Sequence, residues 1–269
     1  MSGRTGEPRA PRAALVTGAA AGLGEGVAAR LAADGWNVAL LDVTPAVAET
    51  CERLAAPLDG GPARLLPLVA DVSDPAAVDG AVAAAVDAFG GLDLVVANAG
   101  IGGPSDAVVD LDPDDWDRVM AVNLRGAFVT ARAGARAMRA AGGGGVIVLL
   151  GSLFGQDPVA GGAAYCASKA GVEALGRSLA LELAPDRIRV NTIAPGNMAT
   201  EMHWEELRYR AERNGRTFED EVAAARADVP LGRHGTGADI GGTVAWLASD
   251  DASYITGQTI SVNGGILRR

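Results

Sequence analysis

A chain of 269 residues, 49% of them hydrophobic, can bury one large core but is crowded for two full-sized domains, so one domain is expected. Its 33 acidic and 23 basic residues leave a net charge of −10, a surface that repels phosphate backbones and anionic lipid and argues against nucleic-acid and membrane partners. Two cysteines, Cys51 and Cys166, and two histidines, His203 and His234, are too few for a disulfide scaffold or a His-based metal site, so no metal is expected and a reducing cytoplasm fits.

Met1–Arg12 has charge and proline but no apolar signal core and reads as a disordered tail, leaving residues 13–269 for the folded domain. No apolar run reaches the roughly 18 residues of a membrane span. From Ala13 onward, short Val- and Leu-rich runs bounded by Gly, Asp or Asn read as strands buried on both faces. They fall at Ala13–Thr17, Asn37–Asp42, Arg64–Ala70, Leu92–Asn98, Val146–Ser152, Arg187–Ile193 and Gln258–Val262. Helical periodicity lies between them, at Leu23–Asp34, Pro45–Ala56, Pro75–Phe89, Pro113–Ala140, Ala163–Ala184 and Asp239–Ala248. Asp74-Pro75 and Asp112-Pro113 each place a capping carboxylate ahead of a first-turn proline. Strand and helix alternating this way give an α/β fold, a doubly wound parallel seven-stranded sheet with helices on both faces. One long insertion, residues 197–238, breaks the rhythm; Glu201–Asp228 within it reads as helical and charged, the pattern of a substrate lid.

The first strand runs into Thr17-Gly18-Ala19-Ala20-Ala21-Gly22-Leu23-Gly24 and then a helix. Glycines there let the backbone turn and approach a pyrophosphate, which a helix amino terminus favours; an ordinary turn is the competing reading. Asp42 ends the second strand, where a carboxylate accepts from adenosine ribose hydroxyls and repels a 2′-phosphate. With no Arg in Ala19–Leu23 to neutralise that phosphate, NAD is favoured over NADP. Asp71-Val72 and Asn98-Ala99-Gly100, at later strand ends, outline the same groove.

Of the 23 basic residues only Lys169 is a lysine, and it stands four residues after Tyr165 on a predicted helix, so the two side chains share a face. A free phenol, with a pKa near 10, is too weak an acid for chemistry at neutral pH, and a neighbouring ammonium is expected to lower it. The pair then moves a proton to or from a carbinol oxygen while hydride moves at carbon. Ser152 supplies a hydroxyl suited to hold the substrate oxygen. Asn123 is a polar residue in an apolar helical stretch and needs a partner; a purely structural hydrogen bond is the alternative to a catalytic role.

These elements together, with Pro195-Gly196-Asn197-Met198-Ala199-Thr200, make the chain resemble the short-chain dehydrogenase/reductase family over Ala13–Gly265. The resemblance implies a Rossmann-type domain with Tyr165 as proton donor or acceptor. Lys169 is implied as its electrostatic tuner and a ribose ligand, Ser152 as substrate orienter and Asn123 as the anchor of a water relay. Cofactor contacts are implied at Gly18, Gly22, Leu23, Gly24, Asp42, Asp71, Val72, Asn98, Ala99, Gly100, Pro195, Gly196, Met198 and Thr200. A homotetramer, or a homodimer, is implied as well, with Pro113–Ala140 and Ala163–Ala184 at an interface.

Substrate contacts are expected from Leu153–Gly162, with Leu153 and Gln156, and from the lid, with His203; Trp204 either lines the pocket or packs lid to core. The lid arginines either clamp an anion or belong to a solvated charged helix. The carboxyl-terminal pattern resembles the family's sugar and polyol branch, and NAD-dependent oxidation of a small neutral secondary alcohol is the expected reaction. A 3-oxoacyl-thioester reductase is the alternative enzyme, and a non-catalytic dinucleotide-binding sensor or scaffold the alternative of another class.

Overall fold

Seven strands form one parallel sheet in a computed structural model that describes residues 12–58 and 63–268. They are β1 (Ala13–Thr17), β2 (Asn37–Asp42), β3 (Leu65–Val69), β4 (Leu94–Ala97), β5 (Gly145–Leu150), β6 (Ile188–Pro195) and β7 (Thr259–Val262), in the spatial order β3-β2-β1-β4-β5-β6-β7. The chain steps outward from β1 to β3 and then crosses back to place β4 beside β1. Their carboxyl ends therefore diverge into a crevice, the place where open parallel sheets bind ligands.

The apolar runs are continuous because both faces of the sheet are covered. Side chains alternate across the sheet, so Leu15, Leu41, Val95, Ile147 and Val190 pack on one side against α3 (Pro75–Phe89), α5 (Gly126–Ala141) and α7 (Ala163–Leu183). Val16, Leu40, Val96, Val148 and Ile193 pack on the other against α1 (Gly22–Ala33), α2 (Val47–Ala55) and α10 (Gly237–Leu247). Each fully enclosed Leu, Ile or Val contributes roughly 1.5–3 kcal/mol. Helices α1 and α10 cross at backbone contact: a Cβ on Gly26 would stand 2.4 Å from the Cα of Gly237, so only glycine fits.

The caps read from sequence are formed, with Asp74 accepting from the Ala76 N–H and Asp112 from that of Asp114. Several boundaries differ. The expected long helix Pro113–Ala140 is interrupted: α4 (Pro113–Met120) and α5 are joined by a π turn at Ala121–Arg125. A four-residue helix, α6 (Leu153–Gln156), follows β5 where none was expected. The lid holds two helices, α8 (Glu201–Asn214) and α9 (Phe218–Ala227), separated at Gly215, whose left-handed φ of 63° ends α8; Thr217 caps α9. β6 runs two residues further than expected, to Pro195.

Of the expected tail, Met1–Pro11 lies outside the described residues. Arg12 is anchored: its carbonyl accepts from the Asn37 N–H at 2.8 Å and its guanidinium lies 4.1 Å above the Trp36 ring.

Candidate active site

The glycine turn is built by close approach. A Cβ on Gly18 would lie 2.8 Å from the Ala99 Cα, and one on Gly24 would lie 2.0 Å from the Gly18 carbonyl oxygen, so the turn folds onto α1 only without side chains. Thr17, which sequence reasoning did not single out, locks the switch point: its Oγ1 accepts from the N–H groups of Asn98 (3.0 Å) and Ala99 (3.1 Å). The Asn98 amide donates to the carbonyls of Thr17 (2.8 Å) and Gly18 (3.1 Å), so it shapes the turn. Asp42 anchors the same turn, accepting from the N–H groups of Ala20 (3.0 Å) and Thr44 (3.1 Å). Asp71 Oδ1 accepts from the Ser73 N–H, and Val72 is buried in the core.

Helix α1 opens on Ala21, which has no side-chain oxygen with which to cap it. Its first N–H groups, carrying the positive end of the helix dipole, face the crevice floor. A glycine cradle, an uncapped helix terminus and a carboxylate at the end of β2 suit a nicotinamide dinucleotide: pyrophosphate at Gly18–Gly24 and adenosine ribose at Asp42.

On the other wall Ser152 lies two residues past the end of β5, buried, and caps α6 by accepting from the Phe154 N–H at 3.2 Å. Its hydroxyl also hydrogen-bonds the phenol of Tyr165 on α7. One turn on, Lys169 is 5% exposed, its Nζ 5.7 Å from the Tyr165 ring centroid and donating to the Leu150 carbonyl at 2.9 Å. Gly100 comes close to it, since a Cβ there would stand 3.3 Å from Nζ and 3.2 Å from Asn123 Oδ1. The pairing of Tyr165 with Lys169 is thus as expected, but the direction of the phenol's pKa is not. Desolvation first, then the charges of Cys166 and Glu206, hold it above 10 against the pull of the Ser152 hydrogen bond. Lys169 does not reverse this, because its ammonium is aimed at the strand end and its own burial lowers it to about 8.

Asn123 lies within the π turn, buried, and its side chain is fully engaged. Oδ1 accepts from the Ile101 N–H (2.8 Å), while Nδ2 donates to the Ile101 carbonyl (2.9 Å) and to Ser168 Oγ (3.1 Å). Ser168 in turn donates to the Tyr165 carbonyl at 2.7 Å. Asn123 therefore clamps the loop after β4 to the helix that carries Tyr165 and Lys169. Such π turns recur at functional sites because they reorient one residue without ending the helix.

Of the expected substrate contacts, Leu153 is buried and Gln156 Nε2 donates to Glu173 Oε1 at 3.1 Å. His203 sits in an aromatic cluster of the lid, its ring 5.4 Å from Trp204 and 5.2 Å from His234. Trp204 also meets Phe218 edge-on at 6.3 Å, which joins α8 to α9. The lid arginines are engaged within the lid: Arg208 with Glu201 at 2.6 Å, Arg210 and Arg216 with buried Glu221 at 3.2 and 3.3 Å, and Arg213 over the Tyr209 ring.

The lid is rooted at Pro195–Thr200. Gly196 N–H donates to the Val262 carbonyl at 3.1 Å, and buried Met198 bridges to Gly235. Thr200 caps α8 through the His203 N–H, while its methyl lies 3.5 Å from where a Cβ on Gly22 would stand. One residue thus caps the lid and lies beside the glycine turn. Among the described residues, no helix is long and apolar enough to cross a membrane.

Residues 18–267 match the family model described as enoyl-(acyl carrier protein) reductase. A short-chain dehydrogenase/reductase of Hericium erinaceus is 38% identical over 255 residues, 94% of this chain and 97% of that protein. The (3R)-3-hydroxyacyl-CoA dehydrogenase of Mus musculus is 36% identical over 258 residues, 94% of this chain and 95% of that protein. The crystal structure of NAD+-bound xylitol dehydrogenase has a TM-score of 0.87 and 34% identity, covering 96% of this chain and 100% of that one. The seven-stranded Rossmann-type sheet, the glycine turn at its switch point and this extent of likeness place the chain in the short-chain dehydrogenase/reductase family, as an oxidoreductase.

Proposed function

We propose that the protein interconverts a secondary alcohol and a ketone with NAD(H), acting on a polyol, sugar or other small neutral alcohol. The observation that carries this reading is the convergence of Ser152, Tyr165 and Lys169, with Gly100 set against Lys169 and Asn123. Held by Gly18–Gly24 and Asp42, the dinucleotide would supply the acceptor for the hydride of the carbinol carbon, or in its reduced form the donor. Ser152 holds the substrate oxygen and Tyr165 exchanges the proton with it. Lys169, still mostly charged at neutral pH with its pKa of about 8, holds an ammonium 5.7 Å from the Tyr165 ring and would stabilise the phenolate on turning from the Leu150 carbonyl toward it. Asn123 keeps the loop and the catalytic helix in register.

Asp42 supports NAD over NADP by its charge, and the likeness to an NAD+-bound xylitol dehydrogenase supports a polyol-type substrate. Reduction of 3-oxoacyl thioesters is the second reading, supported by the hydroxyacyl-CoA relative.

The test is NADH formation across polyols, simple secondary alcohols and 3-hydroxyacyl-CoA at pH 8–9. Tyr165→Phe is expected to lower kcat by about 10²–10⁴-fold while dinucleotide affinity is retained. Dinucleotide binding with equal silence of wild type and variant on every alcohol would instead leave a binding protein. A preference for NADP would remove the role given to Asp42.

A further inference from the structure

Helix α7 carries a buried acid that the proposed chemistry does not use. Tyr165, Lys169 and Glu173 stand four residues apart, so they form one row along the helix. Glu173, one turn beyond Lys169, is 8% exposed. Its Oε1 accepts from Gln156 Nε2 at 3.1 Å, and the hydroxyl of Thr259 on β7 also hydrogen-bonds it. Its Cγ stands 3.4 Å from where a Cβ on Gly151 would be.

Gly151 and Gln156 bracket Ser152, and the stretch from Leu150 to Gln156 is held along α7. Lys169 donates to the Leu150 carbonyl at its start, at 2.9 Å, and Glu173 holds Gln156 at its end. Between them Gly155 lies on the backbone of α7, since a Cβ there would stand 2.9 Å from the Ala170 nitrogen. Within α6 the Gly155 N–H donates to the Ser152 carbonyl at 3.0 Å and the Phe154 N–H to Ser152 Oγ at 3.2 Å, so this short turn aims the hydroxyl. An apolar side chain could fill the place of Glu173 without the desolvation that pushes its carboxyl up. What the carboxylate adds is a fixed direction for the Gln156 amide.

We propose that Glu173 is a positioning residue for Ser152: through Gln156 it locks α6 onto α7, and α6 aims the serine hydroxyl at the substrate oxygen beside Tyr165. This role rests on the alcohol-oxidising function proposed above. Glu173 takes no part in the proton or hydride step.

The full chain is assayed with NAD and the best alcohol of the panel above. Glu173→Met keeps the length of the side chain and removes its acceptors, so kcat is expected to fall at least tenfold with the NAD dissociation constant within twofold of wild type. Glu173→Gln keeps an acceptor and is expected to recover most of that loss. A double-mutant cycle separates positioning from support of the fold. In a Ser152→Ala background Glu173→Met is expected to change kcat less than twofold, because the hydroxyl it acts through is gone. A merely structural role would lower kcat by the same factor in both backgrounds. If Glu173→Met does not fold, Glu173→Ala takes its place in the cycle. Equal factors in both backgrounds, an unchanged kcat, or no recovery in Glu173→Gln overturn the positioning role and leave the alcohol reading standing. A wild type silent on every alcohol, with NAD bound, overturns both.

Discussion

Lys169 shows what a buried ammonium costs and why it is retained. Enclosure lowers its pKa from 10.5 to about 8, equivalent to about 3 kcal/mol of disfavoured charge at neutral pH. The hydrogen bond to Leu150 offsets about 1 kcal/mol of this. Lys169→Met is therefore expected to stabilise the protein by about 2 kcal/mol at pH 7 while abolishing turnover. The sign carries a pH signature. A lysine depressed in the folded state binds fewer protons than in the unfolded chain between pH 8 and 10.5, so wild type gains stability from this group as pH rises through that window. Melting temperatures against pH should show the advantage of the Met variant shrinking there; an advantage constant with pH would contradict the cause given. Lys169 was legible in the sequence because it is the one lysine and stands four residues after a tyrosine. The environment of Tyr165 was not, because its desolvation and the charge of Glu206 come from residues that only folding brings near. Asn123 was visible as a polar misfit, but its partners Ile101 and Ser168 lie on other elements, so the sequence left clamp and catalyst unresolved.

At the scale of elements, periodicity marked every strand of the sheet and missed where helices change character. A π turn adds a residue without changing the run of apolar side chains, so Pro113–Ala140 reads as one helix although Ala121–Arg125 is wound differently. Local cap chemistry reads better, and α10 shows why it matters for the site. Asp239 is held by Arg233 through both oxygens, at 2.7 and 2.9 Å, and accepts from the Thr236 N–H at 2.8 Å, which keeps its carboxyl well below the usual carboxylate range. A depressed carboxylate contributes stability that is present above its unfolded pKa and lost as pH falls through the folded one. Asp239→Ala is expected to cost about 1 kcal/mol at neutral pH, and less in strong acid. Because α10 meets α1 backbone to backbone at Gly26 and Gly237, the same change should weaken dinucleotide binding from more than one helix away. Calorimetry paired with NAD titration checks both; lower stability with unchanged affinity would confine the effect to α10.

For the whole molecule, the surface left apolar is informative. Phe128 on α5 and Leu181 on α7 are exposed, the latter by 80%, on the two helices that sequence reasoning assigned to an interface. We propose a homotetramer, with these helices buried between subunits. Light scattering at micromolar concentration is expected to give four times the chain mass, and Leu181→Glu a smaller species; a monomeric wild type would end the proposal. Thr200 has a different kind of consequence. It caps the lid helix with its oxygen and places its methyl beside the glycine turn, so a side chain at Gly22 would meet it. On the proposed reading, coenzyme that fixes the turn also fixes the lid's first residue, and linkage makes the benefit mutual: the two ligands must tighten one another by the same factor. Either ligand, bound first, would then raise the affinity for the other, with the coupling carried through one threonine.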